Sequence, residues 1–259
     1  MRIIPLLAVL ILAVPAIAEE QADDKRFPRV NEPTKEQVKE AVDALKAAFK
    51  DKKRADLQMD ALHQYGAYAD TAVVREVAKA VRSKDDGVKL NGIEALGWNT
   101  HKEALKQLHR LYRREKSLHK QTSLYAATFK AIGRHGQKSS LDVLGDSVFK
   151  GATPEVAEAR IYSIGNIRNK KSVDMLMKGM RLTGTSPDAR GARASEPRGM
   201  EYFHVSLCLL TGEDHAGVSE DWQRWWRKNK NKFKMSETRP EGVSSEIKTK
   251  WSKYWGEPY

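Results

Sequence analysis

A recurring glycine restricts this chain more than any other feature of its sequence. Gly66, Gly97, Gly133 and Gly165 are separated by 31, 36 and 32 residues, and the same apolar pattern surrounds each of them. A period of this length is typical of stacked helical hairpins. The apolar positions before the glycines hold Leu57, Leu62, Tyr65, Val88, Ile93, Leu96, Leu124, Phe129, Ile132, Val156, Ile161 and Ile164. Those after them hold Val74, Val77, Val81, Leu105, Leu108, Tyr112, Leu141, Leu144, Val148, Val173, Leu176 and Met180.

Each unit of this pattern predicts a helix, a turn that contains the glycine, and a second helix. Because glycine tolerates a left-handed backbone, we interpret each repeated glycine as the residue that ends the first helix. Asp70, Ser139 and Thr153 are the predicted starts of later helices. The sequence therefore predicts an all-α fold, and such repeated architectures usually present a binding surface.

The first 18 residues are predicted to be a secretory signal peptide. Arg2 precedes an apolar run from Ile3 to Ala18, which ends in small residues before Glu19. The run is shorter than the roughly 20 residues that a spanning helix needs. We therefore expect cleavage after Ala18, a secreted or periplasmic protein, and no membrane span in the mature chain.

The mature chain is strongly basic and has a single cysteine, Cys208. Removal of Arg2 with the signal peptide lowers the formal charge from +12 to +11. Such a charge attracts acidic proteins, acidic polymers, anionic lipid or nucleic acid. Export argues against a cytoplasmic genome as the partner, so an acidic protein segment or polymer is favoured. An internal disulfide is impossible.

The remaining segments divide the mature chain further. Residues 19–34 are predicted to be a disordered leader, and Thr34 is the predicted N-cap of a helix from Lys35 to about Lys52. Residues 183–199 lack apolar periodicity and are predicted to form an exposed loop. A degenerate last repeat follows at 200–235, aligned on Thr211. A polar and aromatic C-terminal tail, 236–259, either folds back or contacts a partner.

Several of these features resemble HEAT-type repeats, over roughly residues 35–235. The tripeptides Ala95-Leu96-Gly97 and Ala131-Ile132-Gly133 lie between paired amphipathic segments, as in the short HEAT-like units of bacterial proteins. The ending Leu210-Thr211-Gly212, followed by Trp222 and Trp225-Trp226, is similar to that of secreted bacterial HEAT-repeat proteins. The resemblance implies a right-handed α-solenoid of helical hairpins that binds other proteins. The family also includes a few enzymes, such as bilin lyases.

The predicted binding residues form a basic stripe on the segment after His101. The apolar positions of this segment alternate with cations at helical spacing. The stripe either contacts an acidic partner or is an ordinary solvated face. Its residues are Lys102, Lys106, Arg110, Arg113 and Arg114.

No catalytic residues, metal ligands or cofactors are predicted. His204, Cys208 and His215 are the best candidate metal ligands, but Cys208 is interpreted as a small buried apolar residue. Two S-x-x-K sequences, at 117–120 and 245–248, lack the other elements of the enzymes that use them. The sequence thus favours a non-catalytic scaffold. A hydrolase or lyase built on the same helical repeats is the alternative.

Overall fold

The computed structural model describes residues 27–145, 152–183, 199–215 and 219–259. The signal peptide, the interior of the predicted loop (184–198) and Val148 lie outside these residues. The described residues form α-helices joined by short turns. The helices are α1 (Lys35–Lys50), α2 (Ala55–Tyr65), α3 (Thr71–Ala80), α4 (Asp86–Trp98), α5 (Lys102–Arg114), α6 (Thr122–Arg134), α7 (Leu141–Leu144), α8 (Pro154–Gly165), α9 (Lys170–Thr183), α10 (Met200–Thr211), α11 (Ser219–Asn229) and α12 (Ser245–Trp255).

Helix α1 begins where the sequence predicts. The Thr34 side chain accepts a hydrogen bond from the backbone N–H of Gln37, and the Gln37 side chain accepts one from the Thr34 backbone N–H. This reciprocal capping satisfies two backbone donors that the helix itself leaves unpaired. Thr71 and Pro154 likewise begin helices directly after the predicted starts Asp70 and Thr153.

Helices α2, α4, α6, α8 and α10 pack in that order, each against the next, and we call them the first-row helices. We call α3, α5, α7, α9 and α11, each of which follows one of them along the chain, the second-row helices. Helix α3 contacts α4 and α5, and α9 contacts α8, α10 and α11. The apolar positions of the repeated pattern lie between these helices and are nearly all buried. The clearest exception is Leu57 in the first unit, whose side chain is 43% exposed.

The repeated glycines lie where neighbouring first-row helices approach most closely. A Cβ atom added to Gly66 would lie 2.6 Å from the Cβ of Ala95 in the next first-row helix. One added to Gly97 would lie 2.9 Å from the Cα of Ala131. Both contacts are shorter than carbon atoms tolerate, so a larger side chain would force the helices apart.

The later repeats use serine as the small partner. A Cβ atom on Gly133 would lie 2.6 Å from the Cα of Ser163, and one on Gly165 would lie 2.5 Å from the Cβ of Ser206. The hydroxyl of Ser163 donates to the carbonyl oxygen of Phe129 at 2.8 Å, which satisfies this buried polar group. The glycine column therefore sets the spacing of the row.

The expectation that the repeated glycines adopt a left-handed conformation is wrong. Gly66 has φ −63° and ψ −24°, and Gly97 and Gly133 lie inside α4 and α6. Close packing, not backbone freedom, explains why glycine recurs at these positions. Positive φ angles are found at other described glycines. They are Gly136, Gly199, Gly212 and Gly256.

Polar side chains join the C-terminal ends of neighbouring first-row helices. Nδ2 of Asn99 donates to the carbonyl oxygen of Gly66 at 3.0 Å. Two steps further along the row, Nδ2 of Asn166 donates to the carbonyl oxygen of Gly133 at the same distance, 3.0 Å. Carbonyl groups in the last turn of a helix lack intrahelical partners, so these bonds supply them.

His135 makes the corresponding contact at the step between these two asparagines, from the end of α6 to α4. Its Nε2 lies 3.0 Å from the carbonyl oxygen of Leu96. Burial lowers the pKa of His135 to about 4, against a smaller opposing effect of the bond to Leu96 and with small further lowering by His109, Arg134 and Arg29. A neutral ring that donates to Leu96 is therefore the form present at neutral pH.

The N-terminal segment packs against the first-row helices, which corrects the prediction of a disordered leader for residues 27–34. Phe27 is only 4% exposed, and its ring lies 5.1 Å from that of His63. Val30 pairs with Tyr68 in a single parallel bridge. Residues 19–34 are mostly polar, which is why disorder was predicted. Two apolar side chains of this segment, Phe27 and Val30, nevertheless pack on the folded chain. Residues 19–26 lie outside the described part of the chain.

The C-terminal segment also folds back, as α12. Trp251 and Trp255 are each 2% exposed, and the ring of Tyr254 stacks on that of Tyr162 with 4.1 Å between centroids. Residues 236–259 are therefore not an exposed polar tail. Since Tyr162 belongs to α8 and α12 also contacts α10, this helix crosses two members of the first row.

The two ends of the described chain meet through Arg29 and Glu257, and two arginines of this cluster lie over the ring of Trp98. The guanidinium carbons of Arg29 and Arg134 lie 4.1 and 3.7 Å from the centroid of its ring. Arg134 also donates to the carbonyl oxygen of Trp255 at 2.8 Å and to Glu257 at 3.2 Å. Arg29 forms an ion pair of 3.1 Å with the same Glu257 carboxylate. Cation–π contacts of this kind stabilise desolvated arginine.

Candidate binding groove

The predicted basic stripe lies on α5 and is exposed. Leu105, Leu108 and Leu111 are buried against the neighbouring helices, so the cations occupy the opposite faces. Each of the five predicted residues has an exposed side chain. They are Lys102, Lys106, Arg110, Arg113 and Arg114.

The structure divides this stripe between two sides of α5. Arg110 and Arg114 face α3 and line a groove of about 460 Å³ between the two helices. Arg113 faces the other side, where it lines a depression with Tyr112, Leu141 and Lys171. Lys102 and Lys106 line neither of them, and Lys106 is paired with Glu103 on its own helix. The five residues therefore do not form one continuous binding surface.

Arg75 of α3 and Arg82 of the turn that follows it complete the groove, and the predicted basic stripe does not include them. Arg75 and Arg82 line it together with the apolar side chains of Ala78, Val81 and Leu111. We call this site, with Arg75, Arg82, Arg110 and Arg114 around an apolar floor, the arginine groove. The repeats contain a signal for both residues. Arg75 and Arg82 lie nine and sixteen residues after Gly66, and the same positions after Gly97 hold the predicted cations Lys106 and Arg113.

The cations of the arginine groove are largely unneutralised. Within the described part of the chain, Arg75, Arg82 and Arg114 form no ion pair, and Arg110 donates only to the amide oxygen of Gln107 at 3.1 Å. One carboxylate, Glu115, also lines the groove. It accepts a hydrogen bond from Ser117, and this bond holds the pKa of Glu115 below its usual value. An acidic ligand would therefore meet an excess of positive charge.

The candidate metal ligands are only partly brought together. His204 lies beside Asp214, with 2.8 Å between Nε2 and Oδ1, while the ring of His215 packs against Trp222 at 4.7 Å. Cys208 is completely buried, and burial raises the pKa of its thiol to about 12. The interpretation of Cys208 as a buried residue is therefore confirmed.

Residues of the two S-x-x-K sequences make hydrogen bonds to other groups. The hydroxyl of Ser117 donates to Glu115, and Lys120 is exposed. The ammonium group of Lys248 donates to the carbonyl oxygen of Glu241 at 2.7 Å. Within the described ranges, neither Ser117 nor Ser245 has a lysine as its hydrogen-bond partner.

The tryptophans of the last repeat are buried. Trp222 and Trp226 are 0% and 5% exposed, and Nε1 of Trp226 donates to Asp174 of α9 at 3.0 Å. These side chains cover the end of the second row, and they do not offer a platform for a ligand.

Comparison with known proteins gives no further guide to the role of this site. No protein-family model matches the chain, and no curated protein matches its sequence. Across the described ranges, every helix is too short or too polar to cross a lipid bilayer.

Proposed function

We propose that this chain is a right-handed α-solenoid of HEAT-like hairpins, secreted or periplasmic, that binds an acidic segment of another protein. The first-row order of packing and the repeated glycine contacts support the solenoid. The observation that carries the binding proposal is the arginine groove, where four guanidinium groups surround an apolar floor. The scaffold is non-catalytic in this proposal.

Arginine is suited to this role because its planar guanidinium donates two parallel hydrogen bonds to one carboxylate. The apolar floor of Ala78, Val81 and Leu111 would take up an apolar side chain between the acidic residues of the ligand. A segment that alternates acidic and apolar residues matches both parts of the groove. A phosphate-rich polymer would bind the arginines but would leave the apolar floor without a partner.

A protein ligand is favoured over nucleic acid by the lining of the groove. Proteins that bind single strands usually stack the bases on aromatic rings. The residues that line the arginine groove in the described chain include no aromatic side chain.

The proposal is tested by affinity capture from the native envelope fraction with matched charge variants. Arg110→Glu/Arg114→Glu reverses two charges of the groove, whereas Lys39→Glu/Lys46→Glu reverses two exposed charges on α1. We expect the groove variant to bind its captured partner about tenfold more weakly or worse, since two attractions become two repulsions. The α1 variant should bind normally.

Equal losses in both variants would show that net charge, not the groove, attracts the partner. Normal binding by the groove variant would overturn the proposal. The alternative function, a hydrolase or lyase on the same helices, gains nothing from Cys208, because a buried thiol with a raised pKa is a poor nucleophile.

A further inference from the structure

Three side chains that commonly bind metals converge at the C-terminal end of α10. His204 and Cys208 lie four residues apart, so they share one face of the helix. Asp214 reaches the same place, and its Oδ1 is 2.8 Å from His204 Nε2. One ligand atom of each of the three residues lies within 4.8 Å of the other two.

The turn after α10 is built so that Asp214 returns to the helix. Gly212 has φ +78°, a left-handed conformation that glycine adopts readily, and its N–H donates to the carbonyl oxygen of Cys208 at 2.8 Å. Thr211 Oγ1 then accepts a hydrogen bond from the N–H of Glu213 at 3.2 Å. These bonds fix the direction of the chain between Cys208 and Asp214.

We propose that His204, Cys208 and Asp214 bind one zinc ion. Zinc accepts nitrogen, sulfur and oxygen ligands at about 2.0 to 2.3 Å in tetrahedral geometry, which separates ligand atoms by roughly 3.3 to 3.8 Å. Small side-chain rotations would bring the three ligand atoms to these separations. A thiolate and a carboxylate would together neutralise the 2+ charge of the ion. This inference does not depend on the arginine groove.

The surroundings favour zinc over a hard cation. Mg²⁺ and Ca²⁺ prefer all-oxygen sites, whereas imidazole and thiolate suit zinc. The Asp214 and His204 side chains are 54% and 19% exposed and provide a route of entry from solvent. The buried Cys208 closes the inner side of the site.

Another histidine, His215, lies near these three residues without belonging to the cluster. His215 follows Asp214 directly, and its ring and that of His204 both contact Trp222. Nε2 of His215 is buried and has no hydrogen-bond partner within the described residues. Water or this nitrogen would complete the tetrahedron.

The test uses the full mature chain, freed of metal with a chelator and titrated with Zn²⁺ by calorimetry. We expect one equivalent to bind with a dissociation constant below about 1 μM. Co²⁺ in place of zinc should give a thiolate-to-metal absorption band, which Cys208→Ser removes. Asp214→Asn should weaken zinc binding at least about tenfold, and His119→Gln, an exposed histidine elsewhere, should not change it.

Asp214 is exposed, so its variant tests the site even if Cys208→Ser fails to fold. Three results would each overturn the proposal: binding only at millimolar zinc, a Co²⁺ spectrum without thiolate absorption, or equal affinity in the wild type and Asp214→Asn. Tighter binding of Mg²⁺ than of Zn²⁺ would do so as well.

Discussion

The two rows of helices differ in what covers them. The first row is covered by the chain itself, since residues 27–30 and α12 pack on it and its members touch through glycine. The second row is left open between α3 and α5, where the side chains at the surface are mainly arginine. The chain itself therefore closes much of the first row, and the groove that is open to a ligand lies in the second. Substitutions at buried side chains and in the groove should separate stability from binding.

The largest effect is expected from truncation of the tryptophans that cover exposed ends and faces. Trp222→Ala and Trp255→Ala each remove a buried aromatic ring, which typically costs about 3 to 5 kcal/mol in the free energy of unfolding. Leu57→Ala is the matched control, since this apolar side chain is 43% exposed and should cost far less. Chemical denaturation measures all three. A cost below about 1 kcal/mol for Trp255→Ala would show that α12 is not part of the folded unit.

A smaller loss is expected at the glycine contacts. Gly133→Ala places a methyl group against the backbone of Ser163 and should cost about 1 to 3 kcal/mol. Alanine is otherwise favoured over glycine inside a helix by about 0.5 to 1 kcal/mol, so the sign of the change separates packing from helix propensity. Gly242→Ala should change stability little, because no atom beyond the adjacent residues of the chain lies within 4 Å of the added carbon. Stabilisation by Gly133→Ala would contradict the close approach.

The pH dependence of stability should report on His135. Its pKa is about 4 in the folded chain, below the value of about 6.5 usual for histidine, so the unfolded chain binds the proton more readily. The contribution of His135 is therefore complete above about pH 6.5 and is lost as the pH falls towards 4. His135→Asn supplies a neutral donor, as Asn99 and Asn166 do at neighbouring positions, and should remove this part of the dependence. An unchanged pH profile in the variant would assign the acid sensitivity to other groups.

The smallest effect on stability is expected at the arginine groove. Arg110→Glu/Arg114→Glu changes only exposed side chains and should alter the free energy of unfolding by less than about 0.5 kcal/mol. Binding of the acidic partner by the wild type should weaken between low and physiological salt, where the screening length is about 8 Å. Destabilisation by several kcal/mol would mean that these arginines support the fold. Salt-independent binding would mean that apolar contacts dominate.

The helices were predictable because their determinants are local. Apolar spacing identified which faces are buried, and Thr34 and Asp70 identified helix starts. The role of the glycines was predicted incorrectly. A glycine repeated at one position gives the same sequence pattern whether it permits a turn or a close contact between helices. The contact of Gly66 with Ala95 in the next first-row helix distinguishes the two.

The sites were less predictable because they join residues from different helices. The exposed cations of α5 followed from its apolar spacing, but Arg75 and Arg82 belong to the groove through the packing of α3 on α5. Asp214 joins His204 only through the conformation of Gly212, which the sequence does not specify. Likewise, the aromatic residues of α12 gave no indication of which helix would receive them.

The ion pair between Arg29 and Glu257 places the beginning and the end of the described chain side by side. Polypeptides with adjacent ends tolerate circular permutation, provided that the new break falls in an exposed connection. The turn between α1 and α2 is exposed, and so offers a place to open the chain after a short linker has joined its ends. A chain permuted in this way would have its segments in a different order along the polypeptide, while its helices would pack in the same order.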